Sequence, residues 1–548
     1  RRPPRSTLFP YTTLFRSAWG KNFLQGQNAH RTIIRLKDET FADAETPGSI
    51  MWCGGFGSAD WFHNYVQDIT FDVGHNNPGA IALQFYSNNS GAVRNCRFIA
   101  SENSGLIGLD LGHGDMNGPL LVRHCEVSGF QTGIKTSNAV NGQTFEHITL
   151  KGQREFAFDN EGQSISIRGL VSRNSVPAIR SYGSCCLIES QLTGHPGAEK
   201  WPAIINYNGG NVFLRDVQTT GYARALGDVT TPDWFAAVRI TGEDKAGSLG
   251  PTINEYYSSV TTQAFPAGPG TRLGSLRLDI KEPPDVPMDL PETWANVDAF
   301  GADPTGNNDS SAAIQKAIDS GATTIFLPGS YALKSTLLVR GKVRRLIGVG
   351  GWVDYTHQTQ PDFRVLDGNS PVIFEHFSYI HGGVEIDTAR TVIFRSVSDC
   401  DLTSTKKARG SELYFEDFVT HDLKLSNQRV WARQLNLENE GTHILNDASQ
   451  LWVLGYKTER GGTLLETRNN GRSEILGGFS YTTTAGKLAP MFVTADSSVF
   501  TWFNEVCFNG DPFETIIQET RNGQAKSIKR GDGTAMPYVS TGAKPNAP

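Results

Sequence analysis

The segment VDAFGADPTGNNDSSAAIQKAID, residues 297–319, followed by TTIFLPGSYAL at 323–333, is the stretch from which the fold can be predicted. Asp309 can cap a helix that runs to Asp319, because an aspartate accepts a hydrogen bond from the free N–H groups of a first helical turn. Four small or aliphatic side chains share one face of this helix: Ala313, Ile314, Ala317 and Ile318. Gly321 can end it, and TTIFLP then predicts a strand.

Short units that alternate apolar and polar residues recur on both sides of this segment. After it come TVIFRS at 391–396, ELYFED at 412–417, RVWARQ at 429–434 and QLWVLG at 450–455. Before it come seven related units: QDITFD at 67–72, RNCRFI at 94–99, RHCEVS at 123–128, EHITLK at 146–151, IRGLVS at 167–172, IESQLT at 188–193 and RDVQTT at 215–220. A second unit follows each of the first six: GAIAL, GLIGL, TGIKT, FAFDN, PAIRS and PAIIN.

The repeat length points to a solenoid. Its period of roughly 20–29 residues is typical of parallel β-helices. One turn of chain cannot bury its inward face alone, whereas turns stacked about 4.8 Å apart can. Between the two sets of repeats, KEPPDVPMDLPETW at 281–294 contains four prolines, which cannot join a central ladder. This stretch therefore predicts an extended linker between two solenoids.

The quoted segment resembles the opening of the pectate-lyase-like β-helix superfamily, in which such a helix caps the end of the solenoid. Two such solenoids in tandem resemble the bacterial relatives of glycoside hydrolase family 55, whose fungal members are exo-β-1,3-glucanases. The resemblance implies an all-β chain of two tandem right-handed parallel β-helices, with a short capping helix on the second. We predict five parts: a non-native segment at 1–17, a first β-helix domain at 18–240, a linker at 241–294, a second β-helix domain at 295–520 and a C-terminal tail at 521–548.

The first residues, RRPPRSTLFPYTTLFRS, match no helix or strand period. Their back-translation resembles a sequencing adaptor oligonucleotide, so we interpret residues 1–17 as adaptor joined to a genuine reading frame, such as an assembled metagenome would contain. The chain then enters at GQNAHRTIIRLKD, which resembles the first turns of the superfamily after its opening motif. We therefore expect the adaptor to stand in place of a first capping helix and any signal peptide.

Composition excludes several classes of partner. The net charge is −6 with a pI of about 6.1, and no basic stripe indicates nucleic acid. No apolar run is long enough to span a membrane. The seven cysteines show no CxxC spacing, so neither a metal site nor a disulfide framework is indicated, and we expect no cofactor. Cys96 and Cys125 occupy equivalent places in neighbouring units, which predicts an inward-facing stack.

Glycoside hydrolysis needs a carboxylic acid near the leaving oxygen and a way to position water. The richest carboxylate cluster lies at 451–481 and holds Glu459, Glu466 and Glu474 among lysine and arginine residues. Glu459 corresponds to a glutamate that family 55 carries after its Leu-Gly strand. The family's general acid would fall near 480–482, where this chain has no carboxylate, so Glu474 or Glu466 could supply a displaced acid. The alternative interpretation is that these glutamates are solvated and paired with arginines.

The first solenoid offers further candidates. The stretch FYSNNSGAVRNC lies where the family positions its water, and it makes Asn88 and Asn89 candidates, although asparagines also form ladders inside β-helices. GLDLGHGDMNGP places Asp110, His113 and Asp115 about one turn along. Its Gly-His-Gly is one of four polygalacturonase marks, and the other three are absent. Trp61 could belong to a sugar-stacking rim, but isolated tryptophans more often pack.

Together these observations predict a secreted or periplasmic, monomeric glycoside hydrolase that cleaves a polysaccharide, such as a β-glucan, in a cleft between the two solenoids. We assign Glu459, Glu474 and Asp115 to catalysis, and six residues to substrate binding: Asn88, Asn89, His113, Asp110, Glu466 and Trp61. A polysaccharide lyase acting on an acidic glycan is one alternative. A non-catalytic glycan-binding or tailspike-like structural protein is another, because fold does not determine function.

Overall fold

The computed structural model describes residues 23–53, 61–207, 210–229, 246–267, 273–355 and 360–542 of the 548-residue chain. The predicted adaptor-derived segment lies outside them. The chain is all-β and forms two tandem right-handed parallel β-helices, as predicted. Within the described residues, no helix has the length and apolar character that crossing a bilayer requires.

The first solenoid winds three short strands into each turn. Its strands are β1 (Phe23–Gln25), β2 (Ile33–Arg35), β3 (Gly48–Cys53), β4 (Phe62–Gln67), β5 (Thr70–Asp72), β6 (Ala80–Phe85), β7 (Asn88–Arg94), β8 (Arg97–Ile99), β9 (Ile107–Asp110), β10 (Leu120–Arg123), β11 (Glu126–Ser128), β12 (Thr132–Ser137), β13 (Gly142–Glu146), β14 (Thr149–Lys151), β15 (Phe156–Glu161), β16 (Ser164–Arg168), β17 (Val171–Asn174), β18 (Ile179–Ser181), β19 (Cys185–Gly194), β20 (Pro202–Tyr207), β21 (Val212–Thr220), β22 (Arg224–Val229) and β23 (Thr252–Tyr257).

Equivalent strands of successive turns pair in parallel and form three faces. In the last two turns, β19 and β21 each continue around one corner and so belong to two faces. Strand β23 pairs with β21 in antiparallel orientation and ends the ladder. Cys96 and Cys125 are buried in the core in neighbouring turns, as predicted.

The repeat unit seen in the sequence marks a corner of the first solenoid. Its second residue, or the third in IRGLVS, has a left-handed backbone in all seven turns: Asp68, Asn95, His124, His147, Gly169, Glu189 and Asp216. We call these residues the first corner column. Asp, Asn, His and Gly predominate because they tolerate a positive φ better than branched residues do. The corner N–H still donates across turns, as from Asn95 to the Arg123 carbonyl at 3.0 Å.

The predicted helix, α1 (Ser311–Ile318), lies in the first turn of the second solenoid. The residue at the N-cap is Ser310 rather than Asp309, whose Oδ1 instead accepts from the Ser311 N–H at 3.0 Å. The helix buries Ile314, Ala317 and Ile318 in the core, with Ala313 packed at its margin. It therefore covers the first turn, as the sequence predicted.

Most turns of this solenoid contribute one strand to each of two sheets. The strands are β24 (Ala295–Asn296), β25 (Thr305–Asp309), β26 (Thr324–Leu327), β27 (Ser330–Leu333), β28 (Leu337–Gly341), β29 (Arg345–Gly348), β30 (Trp352–Tyr355), β31 (Phe363–Gly368), β32 (Val372–Phe377), β33 (Tyr379–Ile386), β34 (Val392–Val397), β35 (Cys400–Ser404), β36 (Glu412–Thr420), β37 (Leu423–Ser426), β38 (Arg429–Glu438), β39 (Ile444–Asp447), β40 (Gln450–Glu459), β41 (Leu465–Arg468), β42 (Arg472–Thr482), β43 (Phe492–Ala495), β44 (Ser498–Cys507), β45 (Thr515–Arg521), β46 (Gln524–Lys529) and β47 (Tyr538–Thr541). Short 3-10 turns lie at Pro291–Thr293, Val297–Phe300 and Lys406–Ala408.

The far end of the second solenoid is closed by antiparallel strands. Strand β46 pairs with β45, and β47 pairs with β44. Both lie in the stretch that the sequence analysis assigned to a C-terminal tail. Because the added strands are antiparallel, they end the parallel ladder instead of extending it.

The two solenoids lie side by side and touch along a second column of left-handed corners. This second corner column consists of His376, Ser396, Asp417, Gln434, Gly455 and Gly477, one from each turn of the sheet that contains β32 to β42. Asp417 accepts from the Gly91 N–H at 3.0 Å, and Gln434 accepts from the Thr144 hydroxyl at 2.7 Å. We call this line of contact the seam.

A buried charge cluster reinforces the seam. Glu146 of the first solenoid binds Arg123 at 2.7 Å, Arg168 at 2.6 Å and Arg433 of the second solenoid at 3.0 Å. Burial by itself raises the pKa of Glu146, but the arginines outweigh it and lower the pKa to about 2. Glu282 from the predicted linker binds the same three arginines. That part of the linker is therefore packed into the contact between the solenoids.

Candidate functional site

The candidate site lies where the strands of the second solenoid continue past the seam. Beyond the second corner column, side chains on adjacent turns stand next to one another because the parallel register repeats in each turn. Asn436 in β38 is paired with Lys457 in β40, and two residues further on Glu438 is paired with Glu459. Turns are about 4.8 Å apart, so these four side chains form one compact group.

Lys457 holds the two glutamates together. Its Nζ lies 2.6 Å from Oε1 of Glu438 and 2.9 Å from Oε2 of Glu459. Because both oxygens contact one nitrogen, they lie at most about 5.5 Å apart. The Lys457 side chain is only 3% exposed, whereas those of Glu438 and Glu459 are 26% and 27% exposed. We call Glu438 and Glu459 the carboxylate pair; a ligand in solvent can reach both of its members.

The surroundings favour an ionised Glu438. Burial raises the pKa of Glu438, but the Lys457 ammonium and hydrogen bonds from Lys457, Asn436 and the Glu459 carboxyl outweigh it, so the net pKa lies below the usual value. The Asn436 amide donates to Glu438 at 3.1 Å. The loop after Glu438 is held by His443, whose Nε2 accepts from the Asn439 N–H at 3.0 Å.

The first solenoid reaches this group through Asn89. Its side-chain oxygen accepts from Nδ2 of Asn436 at 3.4 Å, across the seam. Asn89 has a φ of 60°, which turns its side chain out of the ladder. The neighbouring Asn88 is buried and donates to the Met116 carbonyl at 2.9 Å, so it ties two turns of its own solenoid together. The structure therefore brings Asn89 close to the carboxylate pair and gives Asn88 a role in packing.

On the next turn after Glu459 stands Tyr481, its partner in the parallel register. This is the place where the family 55 resemblance puts a general acid, and no carboxylate occupies it. The second carboxylate lies one turn in the other direction, at Glu438. The sequence does contain a signal for it, because aligning RVWARQLNLE with QLWVLGYKTE places Glu438 over Glu459.

Two glutamates predicted for the site lie elsewhere. Glu474 lies in β42 before the corner, where its side chain is 0% exposed and bound to Arg215 at 3.0 Å and to the Arg277 N–H at 2.8 Å. Burial raises its pKa. A group sealed inside the seam cannot meet a polysaccharide, so the predicted catalytic role does not fit. Glu466 lies in β41 on the other sheet, paired with Arg468 at 3.5 Å.

The remaining first-solenoid candidates make contacts within their own domain. Asp110 is buried and accepts from Gln84 at 3.0 Å and from the Gly112 N–H at 3.0 Å. The Nδ1 atom of His113 lies 3.2 Å from the Asp110 carbonyl, and burial lowers the pKa of His113. Asp115 is exposed and accepts a hydrogen bond from Asn138.

Trp61 is 3% exposed and packs edge-on against Trp52, with ring centroids 6.0 Å apart. It is therefore a packing residue and does not present a face to solvent as a sugar-stacking rim would. For Asp110, His113 and Asp115, the described contacts likewise give no link to the carboxylate pair.

A cation site is not favoured by the side chains present. Among the described residues, the grouping with suitable spacing is Glu146, His147 and Glu282. Both of its carboxylates are already bound by the arginines of the charge cluster. Three guanidinium groups supply the positive charge that a metal ion would otherwise bring, so this grouping is an ion-pair cluster.

Comparison with known proteins gives two matches. Residues 294–453 match the family described as "Rhamnogalacturonase A/epimerase, pectate lyase-like". The matched segment begins just before α1 and includes Glu438 but ends before Glu459. The chain is also 27% identical over 135 residues to the GTP-binding protein rhb1 of Schizosaccharomyces pombe (strain 972 / ATCC 24843), which covers 24% of this chain and 71% of that protein.

The second match carries no inference about function, because the chain contains no G-x-x-x-x-G-K-[ST] loop for nucleotide phosphates. The first match agrees with the architecture, because it starts beside β24, includes the capping helix and continues through successive turns of the second solenoid. The parallel solenoids and the pectate lyase-like match together identify the chain as a right-handed β-helix protein.

Proposed function

We propose that the chain is a glycoside hydrolase whose catalytic groups are Glu438 and Glu459. The observation that carries this proposal is the carboxylate pair itself, held by one buried lysine at a solvent-accessible position beside the seam. The pectate lyase-like match supports a carbohydrate-active protein. The narrower relationship to glycoside hydrolase family 55 is part of the proposal and rests on the sequence resemblance.

The geometry suggests a role for each carboxyl group. Glu438, kept ionised by Lys457 and Asn436, would act as the nucleophile or base. Glu459, its register partner on the next turn, would act as the general acid towards the leaving oxygen. The facing oxygens are at most about 5.5 Å apart, which is less than the 6.5–9.5 Å of inverting enzymes, so the pair favours a retaining mechanism. Lys457 would orient both groups without touching the sugar.

The charges around the pair favour a neutral glycan. Asp399 and Asp401 lie on nearby turns, and Asp401 pairs with His421 at 3.5 Å. Burial raises the pKa of Asp399, and the charge of Glu438 acts on it in the same direction. The lysine at the centre of the site is already occupied by two carboxylates. A polyuronate would therefore meet repulsion where a neutral chain would not.

The test is digestion of a polysaccharide panel by the wild type, by Glu438→Gln and by Glu459→Gln, with Glu466→Gln as a matched control on the other sheet. We expect release of reducing ends from a neutral glycan, with activity at least about 100-fold lower in both site variants and unchanged in the control. Full activity of Glu459→Gln on the glycan that the wild type cleaves would refute the assignment.

The same panel separates the alternatives. Products that absorb in the ultraviolet, formed from an acidic glycan, would identify a lyase instead. Binding of a glycan without any cleavage would favour the structural or glycan-binding alternative. Secretion and a monomeric state stay proposals from the sequence.

A further inference from the structure

We propose that the exposed ring of Phe508, backed by the buried ring of Tyr481, forms a stacking subsite for one sugar ring of the glycan, next to the carboxylate pair, so that the glycan lies along the solenoid axis. This inference rests on the proposed function. It identifies a binding surface beyond the two catalytic groups and sets the direction in which the substrate runs.

The first observation is the placement of Tyr481. It is the register partner of Glu459 on the following turn, about 4.8 Å along the axis. The row Glu438, Glu459, Tyr481 therefore runs straight along the solenoid, with two carboxylates followed by one aromatic ring. Burial raises the pKa of Tyr481, and the negative charge of Glu459 adds to that shift, as expected for close neighbours.

The second observation is a stack of three rings that leads from the seam to solvent. Phe479 lies at the seam, where a Cβ at Gly142 would be 3.6 Å from its own Cβ. Its ring lies 6.4 Å from that of Tyr481, and the Tyr481 ring lies 5.4 Å from that of Phe508, with interplanar angles of 22° and 19°. Phe508, at the outer end of the stack, is 50% exposed.

An exposed phenylalanine alone would mean little, because single apolar side chains are common on protein surfaces. Phe508 differs because its orientation is defined. Its N–H donates to the Thr482 carbonyl at 2.9 Å, and its ring is stacked on a tyrosine beside the carboxylate pair. The negative face of an aromatic ring attracts the weakly positive C–H groups on the apolar face of a pyranose.

The other end of the row has a different character. There Asp401, 3.5 Å from His421, and Asp399 are polar, and all three side chains can exchange hydrogen bonds with sugar hydroxyl groups. The site is therefore asymmetric: aromatic on the side of Tyr481 and polar on the side of His421. A neutral glycan would bind in one direction, with one ring stacked on the aromatic side.

The experiment is calorimetric titration of the full chain with three probes: β-1,3-linked glucohexaose, β-1,4-linked glucohexaose and hexagalacturonate. Wild type is compared with Phe508→Leu, which removes the ring, and with Phe508→Trp, which keeps one. Met288→Leu is the control, because Met288 is also 50% exposed but precedes the first turns of the second solenoid. Melting curves check that all variants fold.

We expect a neutral hexasaccharide to bind about tenfold more weakly to Phe508→Leu, and with wild-type affinity to Phe508→Trp and Met288→Leu. Equal binding by wild type and Phe508→Leu would overturn the subsite while leaving the carboxylate pair untouched. Tightest wild-type binding of hexagalacturonate, or binding of none of the three probes, would count against the proposed function and the subsite together.

Discussion

In the first solenoid the left-handed corners from Asp68 to Asp216 face solvent, whereas in the second the corners from His376 to Gly477 lie against the neighbouring solenoid. The backbone conformation is the same in both columns. The side chains differ accordingly, because the first column carries exposed or half-exposed polar groups and the second carries buried groups with partners across the seam.

The difference shows that a corner in a β-helix can serve as a turn or as a contact surface. Where it faces solvent, any residue that tolerates a positive φ is sufficient. Where it faces a second solenoid, the side chain must also fit and satisfy the opposite surface. The carboxylate pair lies beside corners that face the other solenoid. Asn436, next to the pair, contacts Asn89 because the corners on the same strands touch the first solenoid.

The largest expected effect comes from breaking the charge cluster. Glu146→Ala removes the buried carboxylate that Arg123, Arg168 and Arg433 share and leaves them the partly exposed Glu282, with Glu416 as a further partner of Arg123 alone. We expect a loss of about 3–5 kcal/mol in the free energy of unfolding. The control is Glu189→Ala in the first corner column, which also removes a partner of Arg168 but is 40% exposed. We expect a change below about 1 kcal/mol there. Urea unfolding measures the stability of both variants. Equal losses in Glu146→Ala and Glu189→Ala would contradict the expected difference between a buried and an exposed partner of Arg168.

Next in size is the addition of one methyl group to a corner. At Gly477 an added Cβ would stand 1.8 Å from the Ser166 hydroxyl, and the φ of 79° is unfavourable for alanine. We expect Gly477→Ala to destabilise the protein by about 2–4 kcal/mol. Gly169→Ala, at φ 69° in the first corner column, meets only the half-exposed His147 ring at 2.9 Å.

For Gly169→Ala the expected loss is about 1–2 kcal/mol, from backbone strain and a small shift of the half-exposed His147 ring. The difference between the two variants in thermal or urea unfolding isolates the cost of disturbing the seam. A larger loss of stability in Gly169→Ala than in Gly477→Ala would mean that the seam is packed less tightly than the structure shows.

The smallest effect concerns pH. His376 is buried against Phe23 and Tyr65, and burial lowers its pKa to about 3. Between that value and about 6.5, the unfolded chain binds a proton that the folded protein does not. Stability from His376 is therefore present above about pH 6.5 and is lost as the pH falls towards 3. The charged groups around it are Glu375, Arg94, Arg395 and Arg345.

Asp417 acts in the opposite direction. Burial raises its pKa to about 6, although Arg94 and hydrogen bonds from Gly91, Ser396 and Ser90 oppose the shift. Between the usual value of 3.8 and about 6, the folded protein holds a proton that the unfolded chain has lost, so stability falls as the pH rises. Tyr65 is the other titratable group that faces it.

The test is the slope of the unfolding free energy against pH, measured between pH 4 and 6 in one variant of each residue. The two variants should change this slope in opposite directions. His376→Gln should lower the slope and Asp417→Asn should raise it, each by about 1.4 kcal/mol per pH unit. Glutamine is a suitable replacement because Gln434 adopts the same backbone in the same column. Slopes that shift in the same direction would contradict the assignment of one of the two groups.

The sequence by itself determined the solenoids. Inward positions follow a period of two in every strand, the repeat units mark the corners, and the segment from Val297 predicts the capping helix. These features depend on residues near in sequence or one turn away. They can be predicted because every turn must bury the same inward face, whatever lies outside it.

The tertiary structure decided what the outward positions do. Glu459 and Glu474 lie 15 residues apart with similar neighbours in the sequence, yet one is solvent-accessible beside Glu438 and the other is sealed against Arg215. An outward side chain takes its environment from the surface opposite it. That surface depends on how the two solenoids dock, through contacts such as Asp417 with Gly91 that join residues more than 300 positions apart.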